Sequence, residues 1–162
     1  MEFHGNDESK LINSFQMFID KSSCEYSAVI CADDERLEQI KSEAESSFIT
    51  YGSSACADIR VVKSQVKGWN TFFDLEGDLT GSFEVALAGD QFAFNSTAVL
   101  AVAKQIGVDV SVCGDGLKGF KGVARRFTRV GSFNGATVID DYAHHPTEII
   151  ATIKGAKDIG AG

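Results

Sequence analysis

Two short apolar runs and the segment between them limit the folds open to this chain. Residues 27–31 (Ser-Ala-Val-Ile-Cys) and 48–52 (Phe-Ile-Thr-Tyr-Gly) each have the length and apolar character of a buried strand. Between them, Ala32-Asp33-Asp34-Glu35 turns into a segment with Leu37, Ile40 and Ala44 at helical spacing. Strand, helix, strand in that order is a βαβ unit, and its crossover requires the two strands to run parallel. An α/β fold built on a parallel pair follows.

The flanking patterns extend this core. Asn6, Asp7 and Ser9 precede Leu11, Phe15, Phe18 and Ile19, which predicts a helix with one apolar face. Residues 57–62, 69–75 and 81–88 are strand-like, with turns at Ser64, Gly68, Gly77 and Asp78, so the middle of the chain reads as an antiparallel meander. Asp90 is read as the cap of a long helix that carries Phe94, Ala98, Leu100, Ala101 and Val102 on its apolar side and runs to Gln105. A further helix is predicted over 110–120, interrupted by Gly114 and Gly116. Residues 127–130 and 136–139 form two more strand candidates around Ser132-Phe133-Asn134-Gly135, where Asn-Gly signals a hairpin turn.

Composition sets the outer limits. Hydrophobic content of 44% supports a packed core, and a net charge of −8 argues against a nucleic-acid partner, which wants a basic face. No apolar run approaches the roughly 18 residues of a membrane span, and Met1-Glu2-Phe3-His4 has no signal-peptide character. Cys24, Cys31, Cys56 and Cys113 form no CxxC pair and suit neither zinc nor a disulfide framework, so they read as buried free thiols of a cytoplasmic protein. Lys118, Lys121, Arg125, Arg126 and Arg129 break an otherwise acidic sequence, and a domain boundary is placed near Ala124. That gives domains over 1–124 and 125–162. The second is too short to bury a core of its own, so the chain reads as truncated.

The chemistry gathers around that boundary. Val138-Ile139 stop at Asp140-Asp141, followed by Tyr142-Ala143-His144-His145-Pro146-Thr147-Glu148 and an apolar helical pattern at Ile149, Ile150, Ile153 and Ala156. Strand ends of this kind gather ligand groups in open α/β folds. Strand alternation sends Asp140 and Asp141 to opposite faces, so one of them faces a given ligand, or the pair caps the next helix. Pro146 suits a first helical position with His145 as its cap, and the exposed N–H groups there favour an anion. Two consecutive histidines do not share a face, which argues against a joint metal site. Arg125-Arg126 offer bidentate forks for phosphate or a solvated charge pair. Asn95, one turn into the long helix, presents an amide able to pair with an adenine edge, or is a surface residue. Asp33-Asp34 cap a helix or hold a metal. The sequence contains no GxxxxGK[ST] phosphate loop and no GxSxG elbow.

Taken together these residues resemble the Mur ligases, the ATP-dependent amide-forming enzymes of peptidoglycan assembly. The resemblance rests on Arg125-Arg126-Phe127 followed by the string from Asp140 to Glu148, with weaker matches at Met1-Glu2-Phe3-His4-Gly5 and Ala32-Asp33-Asp34. It covers nearly the whole chain and is strongest to the branch that joins L-alanine to UDP-N-acetylmuramate. It implies the later part of a central ATPase domain, a mixed sheet flanked by helices, followed by the start of a Rossmann-like C-terminal domain. It also implies ATP with Mg2+, the metal ligands and the phosphate loop lying outside these residues, which are therefore expected to have no ligase activity alone. The resemblance makes Asn95 the adenine-contacting residue and Arg126 the arginine that reaches the nucleotide from beyond the hinge. It sets Asp141 at the nucleotide edge, and Tyr142, His144 and His145 toward the muramyl substrate or the amino acid. Asp141, His144 and His145 are the catalytic candidates. The family's helix opening is usually Gly-x-His-Asn-x-x-Asn, whereas Gln91 and Phe92 stand here. A Phe92 ring replaces the imidazole as a stacking face and loses the amide. A ligase that takes a preformed tripeptide shares most of the motif but usually carries Phe where Tyr142 sits. A non-catalytic nucleotide-binding module is the alternative of another class. Neither oligomeric state nor organism is legible.

Overall fold

The structure is a computed structural model and describes residues 8–21, 26–43 and 46–160. The elements follow in chain order: α1 (Glu8–Ile19), β1 (Ala28–Cys31), α2 (Glu35–Glu43), β2 (Phe48–Gly52), β3 (Ile59–Lys67), β4 (Asn70–Gly77), β5 (Gly81–Val85), α3 (Asp90–Gln105), α4 (Val110–Gly119), β6 (Thr128–Phe133), β7 (Ala136–Asp140) and α5 (Pro146–Asp158). Asn6, Asp7, Cys24 and Ala44, and the stretch around His4, lie outside the described residues.

Strands β1 to β5 form one mixed sheet in sequence order. The βαβ unit has its parallel pair, with Ala28 opposite Phe48 and Cys31 opposite Tyr51. Strand β2 runs parallel to β3 only at its end, and β3–β4–β5 are the antiparallel meander. The loop after β2 is tied back to the first βα turn. Asp33 accepts hydrogen bonds from the backbone N–H groups of Ser53 and Ser54, while Asp34 accepts from Arg36 N–H at the start of α2. The helix-cap alternative therefore holds for Asp34.

Alternation fixes which sheet face is buried. Thr71, Phe73 and Leu75 of β4 all point inward and are nearly inaccessible. Helix α3 lies across that face and buries Ala93, Ser96, Thr97, Leu100 and Ala101. The small residues at 93, 96 and 97 let the helix approach the sheet closely. Thr71 Oγ1 donates to Leu87 O at 2.7 Å and accepts from Gly89 N at 3.0 Å, so β4 anchors the turn that launches α3.

Three local expectations change. Strand β3 runs on through Ser64 to Lys67, because Ser64 has a distant partner, donating to Asp90 Oδ1 at 2.8 Å. Gly89, not Asp90, holds the cap position of α3, and Asp90 is its first helical residue. Helix α4 continues through Gly114 and Gly116 without a break, capped by Asp109, which accepts from Ser111 N–H. The cysteines also differ from a uniform buried set: Cys31 and Cys113 are half-buried and Cys56 is exposed.

Beyond α4, β6 and β7 make a separate two-stranded antiparallel sheet. Its turn is Asn134-Gly135 with φ of 49° and 82°, the left-handed pair that a two-residue hairpin requires. Helix α5 then returns to pack on α3. Gly155 is buried there, and an added Cβ would sit 3.2 Å from the Phe127 ring and 3.3 Å from Ala88 O. Lys154, next to it, pairs with Asp90. No helix among the described residues is long and apolar enough to cross a membrane.

Candidate functional site

A cavity of about 890 Å³ lies between α3, α4 and α5. Much of its lining is apolar, from Val85, Leu87, Val99, Leu117, Phe120 and Val123. Its polar lining groups are Gln91, Asn95 and Ser96 on α3, Arg126 and Asp141 on the segments flanking the β6–β7 hairpin, and Thr147, Glu148 and Thr152 on α5. An apolar slot with a few convergent polar groups is the usual character of a small-molecule site.

Helix α3 presents Phe92 and Asn95 to this cavity because its opposite face is committed to the sheet. Gly89 takes φ 139°, and a Cβ there would lie 2.5 Å from Gln91 Oε1, so the Gln91 amide occupies the space a side chain would fill.

The segment around Arg126 is held from both sides of that residue. Tyr142 N–H donates to Arg125 O at 2.8 Å, and Phe127 N–H donates to Asp141 Oδ2 at 2.8 Å. Asp141 Oδ1 accepts from Ala143 N–H at 2.7 Å. Arg125 and Phe127 both have left-handed backbone, φ 61° and 51°, a conformation uncommon outside glycine. The buried Phe127 ring packs on Trp69 at 6.1 Å between centroids, with the Arg129 guanidinium over Trp69 at 5.4 Å. The chain is thereby turned so that Arg126 reaches the cavity while Arg125 lies over the Tyr142 ring, 4.6 Å from its centroid.

Helix α5 starts as its sequence predicts, with His145 at the cap and Pro146 following. The anion at its N-terminus is the chain's own. Glu148 Oε2 accepts from the backbone N–H groups of His144 at 3.1 Å and His145 at 3.3 Å, while Glu148 Oε1 stands 3.9 Å from Arg126 Nη1. Those two N–H groups, with the nearby His144 and Arg126 charges adding to them, hold the Glu148 carboxyl below its ordinary value. His144 Nδ1 lies 3.0 Å from Tyr142 O, and the rings of Tyr142, His144 and His145 form an exposed row.

Of the residues singled out from the sequence, Phe92, Asn95, Arg126 and Asp141 therefore share one cavity. Tyr142, His144 and His145 are not among its lining residues and sit on the outer side of the turn. Cys113, Phe120, Val123 and Thr152 line it without having been expected. They sit in segments with no motif, and only the spatial closure of α4 and α5 over α3 reveals them.

Residues 1–103 match the family model of the Mur ligase middle domain, and residues 125–162 match that of the Mur ligase, glutamate ligase domain. The chain belongs to the Mur ligase family. A UDP-N-acetylmuramate–L-alanine ligase of Anaeromyxobacter sp. (strain Fw109-5) is 38% identical to it over 157 residues, 96% of this chain and 34% of that protein. The enzyme of that name from Myxococcus xanthus (strain DK1622) is 37% identical, over 95% of this chain and 33% of its own length. The chain thus spans about a third of the length of the curated relatives it matches. Among solved structures, UDP-N-acetylmuramate-alanine ligase MurC from Thermotoga maritima superposes with a TM-score of 0.81 at 23% identity, over 98% of this chain and 35% of that one. The MurF ligase of the same organism in complex with ADP gives 0.76 at 18% identity, over 94% of this chain and 35% of that one. At these identities the two superpositions establish the Mur ligase fold. In this Mur ligase chain the cavity draws residues from both family matches, Val85 to Val99 from the first and Arg126, Asp141 and Thr147 to Thr152 from the second, with Cys113 to Val123 from between them.

Proposed function

We propose that this chain forms the nucleoside side of the active site of a cytoplasmic ligase that joins L-alanine to UDP-N-acetylmuramate using ATP. The acceptor assignment is carried by the 38% identity over 157 residues to a relative of that name. The nucleotide assignment is supported by the convergence of Phe92, Asn95 and Arg126 on one apolar cavity.

In the proposed reaction a muramyl carboxylate oxygen attacks the γ-phosphorus of ATP, and ADP departs. The alanine nitrogen then attacks the acyl phosphate carbon, loses a proton, and phosphate leaves with both electrons of its bond to carbon. This chain's own contribution is binding and orientation. The Phe92 ring supplies a π face for the base, the Asn95 amide pairs with its edge, and Arg126 faces the phosphates. Asp141 acts on Arg126 by fixing the backbone of the next residue, Phe127, and Tyr142, His144 and His145 face the muramyl nucleotide or the amino acid. The domain division near Ala124 follows from the same reading, as the hinge across which the cavity closes. Among the described residues no group of three His, Cys, Asp or Glu side chains is placed to hold a metal ion, so magnesium has no fitting ligand set here.

The test is a transplant. The matched segment of the Anaeromyxobacter ligase is replaced by this chain, and phosphate release is followed with ATP, UDP-N-acetylmuramate and either L-alanine or a tripeptide. Turnover with L-alanine supports the reading, and turnover only with tripeptide contradicts the acceptor. The Gln91-Phe92 pair favours a second reading, a binding module without catalysis, for which ADP binding without turnover would be the evidence.

A further inference from the structure

At the N-terminus of α5, Glu148 turns its carboxylate back onto the chain ahead of the helix. One carboxylate oxygen is fixed by His144 and His145 N–H, and the other faces Arg126 from within the cavity lining. The two oxygens therefore do different things. Oε2 belongs to the turn and stays with it. Oε1 is the nearest carboxylate to Arg126 and makes only a loose contact at 3.9 Å.

We infer that Glu148 is a placeholder anion: it holds the Arg126 guanidinium at the cavity edge until the phosphates of a nucleotide take its place. Because Glu148 is tethered by the backbone, it does not follow Arg126. A phosphate that recruits Arg126 breaks one loose, partly exposed ion pair and leaves a fixed negative charge close by. Both effects weaken binding of phosphorylated ligands, and neither acts on a bare nucleoside. Glu148 is thus a positioning residue that sets how strongly the cavity prefers nucleotide over nucleoside. The inference rests on the nucleotide reading of the cavity.

Glu148→Gln keeps an oxygen able to accept from His144 and His145 N–H and removes the charge. ADP and adenosine are titrated calorimetrically into the chain as wild type, Glu148→Gln, Arg126→Met and the double variant. Glu148→Gln is expected to tighten ADP by about two- to five-fold, the span of a partly exposed ion pair, and to leave adenosine unchanged. Arg126→Met is expected to bring ADP down toward adenosine, and in its background Glu148→Gln should have no effect on the ratio. Weaker ADP binding in Glu148→Gln, an equal shift for both ligands, or an effect that persists without Arg126 overturns the inference. Adenosine binding also reports the fold of each variant. Arg126→Met leaves the turn intact, so an unchanged ADP preference in that variant overturns the inference even where Glu148→Gln does not fold. If wild type binds neither ligand, the nucleotide reading itself has failed and the inference falls with it.

Discussion

Asp141 Oδ2, just past the end of β7, accepts the backbone N–H of Phe127 at 2.8 Å. Together with Tyr142 N–H on Arg125 O, this bond closes a bracket around Arg126, and the carboxylate's Oδ1 accepts Ala143 N–H. Asp141→Ala leaves both N–H groups without this partner, and the cost expected from such losses is about 1–3 kcal/mol. Urea unfolding of the two proteins checks this. Because Arg126 would lose its fixed backbone, ADP affinity should fall more than adenosine affinity. A variant of unchanged stability and unchanged ADP preference would remove the bracket from the account.

The aromatic at position 92 should carry most of the recognition of the base. Phe92→Ala is expected to weaken adenosine by about 1–3 kcal/mol, the usual value of a base-stacking ring, while Phe92→Trp should retain it. Calorimetric titration of both variants separates stacking from general packing, since Phe92 is half-buried and Trp restores only a π face.

The seat of α5 depends on Gly155. A side chain there meets the Phe127 ring and Ala88 O, and the second is backbone that does not swing aside. Gly155→Val should therefore push α5 from α3, destabilising the chain by about 1–3 kcal/mol as over-packing does and widening the cavity. Thermal unfolding and a weaker response to ADP are the two measurements.

Acid should unfold the chain through specific carboxylates. Burial by itself would raise Asp90, but the hydrogen bonds from Lys154 and Ser64 outweigh it and hold the group below its ordinary value. Asp58 is likewise lowered, Thr50 and the Lys41 charge overcoming burial. A depressed folded value gives stability that is present above the unfolded value, near pH 4, and lost as the pH falls through the folded value. Urea midpoints should be flat from neutrality to about pH 5 and drop below about pH 4. Asp90→Asn should lower the plateau and flatten the fall. A midpoint that rises on acidification would contradict the assignment.

The legible parts of this molecule are those governed by local pattern. The βαβ unit, the meander and the Asn134-Gly135 turn were readable because alternation, helical spacing and left-handed turn residues act within a few positions. What stayed hidden depends on partners distant in sequence. Ser64 reads as a turn residue until Asp90 is found beside it, and Asp90 reads as a simple cap until Lys154 arrives from α5. The site followed the same division. Phe92, Asn95, Arg126 and Asp141 sit in motifs, whereas Cys113, Phe120 and Val123 become part of the cavity only when α4 and α5 close over α3. Glu148 was visible as a letter of the motif, but its occupation of the helix end is a matter of geometry alone.

The central claim is that the cavity between α3, α4 and α5 holds the nucleotide, and an NMR titration of the chain with ADP tests it most directly. The expected result is saturable shifts at the Asn95 side-chain amide, the Phe92 ring and Arg126 Nε, all with one dissociation constant. Shifts confined to the separate apolar pocket around Phe15, Val29 and Tyr51, with Asn95 and Arg126 unmoved at saturation, would contradict it.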